Sequence, residues 1–250
     1  MQSWNGSEGT VRYAVVADIH GNLQALEAVR ADMAQFGIDG VFCLGDVVGY
    51  GANPRECLQI VRESDATMIA GNHDWAAAGN VGIDYFNADA RDSVEWTRGQ
   101  LTESELEFLR GLELIKAVDD VTLVHGSPFS PEYFEYLQTS YDVQVAFDHM
   151  DTRACFVGHS HVPVIFTDTD PLDYFLRDEF EFPDETKVIV NVGSVGQPRD
   201  LDPRACYAVY DDELRKVTLR RVHYDLQAAS ERMIAVGLPS TNAARIVLGR

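Results

Sequence analysis

Five short blocks of acidic, amide and imidazole side chains recur along the 250-residue chain: Asp18-Ile19-His20, Gly45-Asp46, Gly71-Asn72-His73-Asp74, His125-Gly126 and Gly158-His159-Ser160-His161. They hold five of its seven histidines. A set built from Asp, Asn and His, with no thiolate in it, suits Mn, Fe, Zn or Ni better than Ca or a structural zinc knot. Such a mixture points to a catalytic site with room for water rather than a closed structural one. In an extended segment, residues two apart point the same way, so Asp18 with His20, and His159 with His161, can each bring two ligands to one region. Glycines beside Asp46, Asn72, His125 and His159 permit the tight turns this requires.

Elements able to position these blocks are legible around them. Residues 11–18 (VRYAVVAD) read as a buried strand, and Leu23, Leu26, Met33 and Phe36 give residues 22–36 the spacing of a helix with one apolar face. Strands at 40–45 and 66–70 flank a helix that Pro54 opens. Residues 87–112 read as helical, with Thr102 and Glu105 spaced as a capping box. A strand at 121–125, a helix at 141–150 and a strand at 153–157 continue the alternation. Each block stands where a strand ends, and in open α/β sheets the loops after strand carboxyl ends gather along one edge.

From residue 162 the pattern turns to strands, at 162–167, 173–177, 187–192, 205–210 and 215–222, expected as antiparallel structure completing a second sheet. The acidic run 178–185 reads as a solvated hairpin tip, with a lid over a site as the alternative. Helices are expected at 225–236 and after Pro239. The fold expected is a single α/β domain over residues 1–250, four layers deep in the order α/β/β/α. Two packed mixed sheets form its centre, the metal site lies at their edge, and residues 1–10 are flexible.

Composition narrows the function. Forty acidic against 20 basic residues give a formal charge of -20, which repels long nucleic acid and anionic membranes. A small substrate is favoured. The four cysteines are far apart and read as buried reduced thiols. There is neither a signal-peptide pattern at the start nor an apolar run of the roughly 20 residues that would span a bilayer, so a cytoplasmic protein is expected.

Taken together and in order, the blocks resemble the calcineurin-like metallophosphoesterases, whose series runs D-x-H, G-D, G-N-H-D/E, a His followed by small residues, and G-H-x-H. More narrowly, the chain is similar to small phosphoesterases of bacteria and archaea. The resemblance implies that Asp18, His20 and His161 bind one metal ion, Asn72, His125 and His159 a second, and that Asp46 bridges them. It makes His73 a catalytic residue, donating a proton to the leaving oxygen or stabilising phosphoryl charge. Asp74 would orient His73, or else be a surface carboxylate at a helix start. The implied activity is hydrolysis of phosphoester bonds in a small substrate, nucleotide-derived compounds included, by a hydroxide bridging two transition-metal ions. Phosphodiesterase and phosphatase activity both fit.

Several features lie outside those blocks. Arg199, in the Gly-rich segment 191–200, either contacts substrate phosphate or sits in a surface ion pair. Phe129, Tyr133, Phe134 and Tyr136 are expected to pack, with stacking on an aromatic substrate as the lesser role. His149 and His223 are expected to be structural. Tyr50 stands where protein Ser/Thr phosphatases and symmetrical dinucleoside-tetraphosphate hydrolases carry an arginine, so the former is doubted and a dinucleoside polyphosphate hydrolase is a lesser alternative. A non-catalytic interaction scaffold is the main rival. Loops 75–90, 127–140 and 168–186 are expected to shape the pocket.

Overall fold

The computed structural model describes residues 11–250; the expectation for residues 1–10 lies outside the described residues. The first half delivers β1 (Arg12–Val16), α1 (Leu23–Met33), β2 (Gly40–Cys43), α2 (Pro54–Glu63) and β3 (Thr67–Met68). Three short helices follow, α3 (Asn72–Ala78), α4 (Ala88–Gln100) and α5 (Glu103–Arg110). Thr102 caps α5 through Glu105 as its spacing predicts, which breaks the helical stretch 87–112 in two. Next come β4 (Ile115–Val118), β5 (Val121–Val124), α6 (Ser140–Asp148), β6 (Ala154–Val157), β7 (Val164–Thr167) and β8 (Asp173–Phe175). The chain closes with β9 (Glu179–Glu181), β10 (Val188–Asn191), β11 (Ala205–Asp211), β12 (Lys216–Val222), α7 (Leu226–Ala235) and α8 (Ser240–Leu248).

These strands form two six-stranded mixed sheets, ordered β3-β2-β1-β11-β12-β9 and β4-β5-β6-β10-β7-β8. Period-two alternation explains the layers. Val15, Phe42 and Leu44 of the first sheet meet Leu123, Phe156 and Val190 of the second in a core between them. Their neighbours face the other way: Val16 and Cys43 pack on Leu26, Val29 and Leu58 of the helices, and Cys155 and Val157 on Val143 and Phe147 of α6. Each fully buried Val, Leu or Phe in these layers contributes roughly 1.5–3 kcal/mol. All four cysteines are buried and unpaired, and burial raises each thiol well above its ordinary range.

Three expectations need correction. The late strands do not all complete the second sheet, because β11 pairs antiparallel with β1 and carries β12 and β9 into the first. Alternation within a strand says which faces are buried, but not which strand it joins. The acidic run is neither hairpin tip nor lid: it crosses from one sheet to the other and forms the edge strand β9. There Phe180 and Phe182 turn into the inter-sheet core while Glu179 and Glu181 stay exposed. Finally, β4 stands between the expected helix 87–112 and the strand 121–125, where no element is expected.

Candidate metal centre

The parallel strands β1, β2 and β3 of one sheet, and β5, β6 and β10 of the other, bring their carboxyl ends to a common edge. Six of the seven candidate ligands stand on the turns after them, and Asn72 is the first residue of α3. Asp18, Asp46, His20, His125 and His161 are at most 2% exposed and His159 is 8% exposed, so their donors face one another rather than water.

The turns are not the extended segments expected. Asp18, His20, Asp46, His159 and His161 all have left-handed backbone, with φ between +48° and +66°. Non-glycine residues adopt that region at a cost and persist there when their surroundings hold them, a condition common at functional sites. Here the turns interlock: His20 N donates to Asp46 O at 2.9 Å, and Gly196 N to Asp18 O at 2.9 Å. Gly71 is required by contact, since a Cβ there would lie 2.1 Å from Asp46 Oδ1.

Five of the seven side chains, Asp18, His20, Asp46, His125 and His161, are oriented by spending one polar atom on the backbone and leaving another for the centre. His159 N donates to Asp18 Oδ2 at 2.9 Å, and His73 N to Asp46 Oδ1 at 2.8 Å. The imidazole Nδ1 atoms lie against carbonyls: His20 on Val48 (3.2 Å), His125 on Leu44 (2.7 Å) and His161 on Gln197 (2.6 Å). A carbonyl only accepts, so Nδ1 carries the proton and Nε2 presents its lone pair inward.

The inward atoms converge. His161 Nε2 is 3.2 Å and His20 Nε2 3.7 Å from Asp18 Oδ1, and His125 Nε2 is 3.3 Å from Asp46 Oδ2. Two groups, Asp18 with His20 and His161, and Asp46 with His125 and His159, each hold their donor atoms within 4.8 Å. His20, Asp46 and His73 form a third such group.

These donors fit metal ions. Asp18 Oδ1, Asn72 Oδ1 and His125 Nε2 are buried with no hydrogen-bond partner among the described residues, a costly state for a polar atom that coordination would satisfy. His20 Nε2 and His161 Nε2 lie 3.1 Å apart, lone pair towards lone pair, which a cation between them resolves.

The electrostatics agree. Burial works against ionising Asp18 and Asp46, but the histidines around them hold both carboxyls below the usual range. Burial depresses His20, His159 and His161, reinforced by neighbouring histidines at His20 and at His159, which falls to about 3, and by Arg199 at His161, so all three are neutral donors near pH 7. His125 alone goes up, to about 9: burial opposes this, but Asp46 and Asp18 outweigh it, so an ion bound there would displace a proton from Nε2.

His73 lines the open side of the cluster, its ring 4.9 Å from that of His20 and 4.5 Å from that of Tyr50. Burial pushes it down to about 4. Asp74 does not orient it, because His73 Nδ1 has no hydrogen-bond partner among the described residues. Asp74 does stand at a helix start, yet it is fully buried rather than at the surface. Its carboxylate accepts from the amides of Asp46 (2.7 Å), Val47 (3.0 Å), Val48 (3.2 Å) and Gly71 (3.1 Å), tying the Asp46 turn to α3. Burial, then the nearby Asp46, raise Asp74 to about 7.

Arg199 makes no surface ion pair among the described residues. It lines the cavity over the cluster, with Nη2 donating to Gln197 Oε1 at 2.8 Å and its guanidinium carbon 5.8 Å from the Tyr50 ring. Sequence reasoning missed the residues that support the cluster from beneath. Ser194 Oγ donates to Asp18 O at 2.8 Å and Asn191 Nδ2 to Gly158 O at 2.6 Å; Tyr136, expected to pack, stacks on His159 at 4.0 Å from the cavity side. The segment Asn191-Val192-Gly193-Ser194 after a buried strand was the available signal. His149 is exposed, outside the cluster, with Nδ1 2.8 Å from Val145 O, and no hydrogen bond places His223 near the cluster.

The profile of the calcineurin-like phosphoesterase superfamily domain matches residues 11–213. The chain belongs to the calcineurin-like phosphoesterase superfamily. A metallophosphoesterase from Sphaerobacter thermophilus superposes with a TM-score of 0.87 at 37% identity, over 97% of this chain and 100% of that one. An uncharacterized protein of Methanocaldococcus jannaschii is 39% identical over 242 residues, 95% of this chain and 98% of its own length. A hypothetical protein from Pyrococcus horikoshii shares the fold, with a TM-score of 0.79 at 22% identity over 96% and 99% of the two chains. Membership places this chain in a metal-dependent phosphoesterase family, and its His/Asp cluster is the place where metal could be held. No helix among the described residues is long and apolar enough to cross a membrane.

Proposed function

We propose that this protein hydrolyses a phosphoester bond in a small substrate, using two transition-metal ions, Mn, Fe, Zn or Ni. Asp18, His20 and His161 would hold one ion, Asn72, His125 and His159 the other, with Asp46 shared. The observation that carries this reading is the division of labour within five of the ligands, Asp18, His20, Asp46, His125 and His161: one atom committed to the backbone, the other aimed at a common centre. When bound, such ions polarise phosphoryl oxygens and acidify water near neutral pH.

The chain's own residues then have distinct tasks. His73 meets the phosphoryl or leaving oxygen as a neutral N–H donor, and negative charge arriving beside it favours its protonation. Arg199 offers free guanidinium hydrogens to a phosphoryl oxygen. It takes the part of the arginine that Tyr50 replaces, with its guanidinium carbon 5.8 Å from the Tyr50 ring. Asp74 is a positioning residue for the Asp46 turn. A net charge of -20 favours a small substrate over nucleic acid or a membrane surface. Since His73 and all seven candidate ligands are in place, the interaction-scaffold reading has no degenerate centre to rest on.

The test is hydrolysis of aryl phosphate monoesters and diesters with each metal supplied in turn. Asp46→Asn and His73→Ala should each lower kcat/KM by at least about 100-fold, the low end for a positioned proton donor. Full activity in both variants would sink the assignment.

A further inference from the structure

The cavity over the cluster has a volume of about 760 Å³, far more than a phosphoryl group needs and within the range of roughly 300–1,000 Å³ typical of small-molecule sites. Two loops, residues 81–87 and 132–136, contribute its upper walls, and each carries a pair of adjacent aromatic residues with opposite fates. Phe86 packs on the site, its ring 5.0 Å from His73, while Tyr85 beside it is 99% exposed. Phe134 packs 6.0 Å from the His125 ring, while Tyr133 beside it is 71% exposed. One member of each pair anchors its loop to the catalytic floor, and the other is left in solvent at the cavity lining. Phe134 and Ser130 have left-handed backbone, at φ +52° and +48°, so the second loop is held in a sparsely populated conformation.

Charge limits what such walls can receive. Glu132 and Glu135 line the cavity, and Arg199 is the one Lys or Arg lining it among the described residues. Beyond the reach of the ions proposed for the floor, a polyphosphate chain would meet two carboxylates with a single arginine to balance it. An uncharged aromatic ring would meet flat apolar faces, and exocyclic amino groups on it would find carboxylate acceptors, as adenine, guanine and cytosine provide.

We infer that this cavity recognises a nucleobase, so that the substrates are nucleoside phosphoesters with a single phosphoryl group and an amino-bearing base. This rests on the phosphoesterase reading for the phosphoryl end; the base-binding walls stand on their own geometry. Tyr85 and Tyr133 supply stacking faces, and Glu132 and Glu135 accept from the amino group. Stacking on an aromatic side chain is sequence-tolerant and commonly worth about tenfold or more in affinity per base.

The experiment compares two uncleavable ligands on the Mn²⁺-loaded protein by titration calorimetry. One is a phosphonate analogue of adenosine 5′-monophosphate; the other is the matching ribose phosphonate without its base. The wild-type protein should bind the first at least tenfold more tightly. That ratio should fall below threefold in the double variant Tyr85→Ala/Tyr133→Ala and survive in Tyr85→Phe/Tyr133→Phe, which keeps both rings. Equal affinity for the two ligands in the wild type overturns the inference, as does a ratio that persists in the alanine variant or vanishes in the phenylalanine one. Hydrolysis is scored separately. A protein that prefers the base and cleaves nothing refutes the catalytic reading, whereas one that cleaves phosphoesters without preferring the base refutes this one.

Discussion

The floor and the upper walls of the same cavity are built on opposite principles. On the floor, Asp18, Asp46 and His161 are at most 2% exposed, sit on left-handed backbone and are each tied by hydrogen bonds to residues from distant turns. On the walls, Tyr85 and Tyr133 are 99% and 71% exposed, and their loops lean on the floor through packed rings, Phe86 on His73 in the first and Phe134 and Tyr136 on His125 and His159 in the second. The floor must hold charged donors against mutual repulsion within a fraction of an ångström. The walls need only present faces. Damage to the floor should therefore disturb stability and chemistry together, while damage to the walls should disturb recognition alone.

The strongest blow to the floor that spares the ligands is Asp74→Ala, which strips acceptors from the amides of Asp46, Val47, Val48 and Gly71. A loss of about 3 kcal/mol in urea unfolding is expected, the upper end for uncovering buried polar groups. Asp74→Asn, which keeps one oxygen, should recover part of it. Unchanged stability in both variants would show that the tie between the Asp46 turn and α3 is dispensable.

A slightly smaller effect should follow metal removal. At a free ion concentration 100 times its dissociation constant, binding adds about 2.7 kcal/mol to folding, or roughly 5 to 10 °C in Tm for a chain of this size. Differential scanning with and without chelator, for each of Mn²⁺, Fe²⁺, Zn²⁺ and Ni²⁺, measures it. A Tm indifferent to every ion would mean that the orphaned donors of Asp18, Asn72 and His125 are not metal ligands.

Least of all should happen at the walls. Tyr133→Ala removes an exposed ring and should alter unfolding free energy by no more than about 0.5 kcal/mol, as at other surface positions. A loss above about 1.5 kcal/mol would tie the wall to the floor and end the contrast between them.

The same contrast governs what could be read without coordinates. The floor was legible because its Asp, Asn and His residues stand at short spacings where strands end, the pattern that metal ligation would demand. Asp74 was misjudged because its carboxylate serves amides 26 to 28 residues upstream, in a turn that no local spacing reveals. β9 was missed although Glu179-Phe180-Glu181-Phe182 alternates as an edge strand should, because its charge suggested solvent more strongly than its period suggested a sheet.

By itself, the sequence determined the composition of the Asp, Asn and His cluster, the alternation that layers helix on sheet on sheet on helix, and the net charge of -20. Only the tertiary structure decided how β11 closes on β1, which nitrogen of each imidazole faces inward, and what stands around the substrate. The reason is distance along the chain. His125 is oriented by Leu44, 81 residues away, and Asp18 by the amide of His159, 141 residues away. Such partners meet only after two sheets have packed, so their pairing is a property of the fold rather than of any local run of residues.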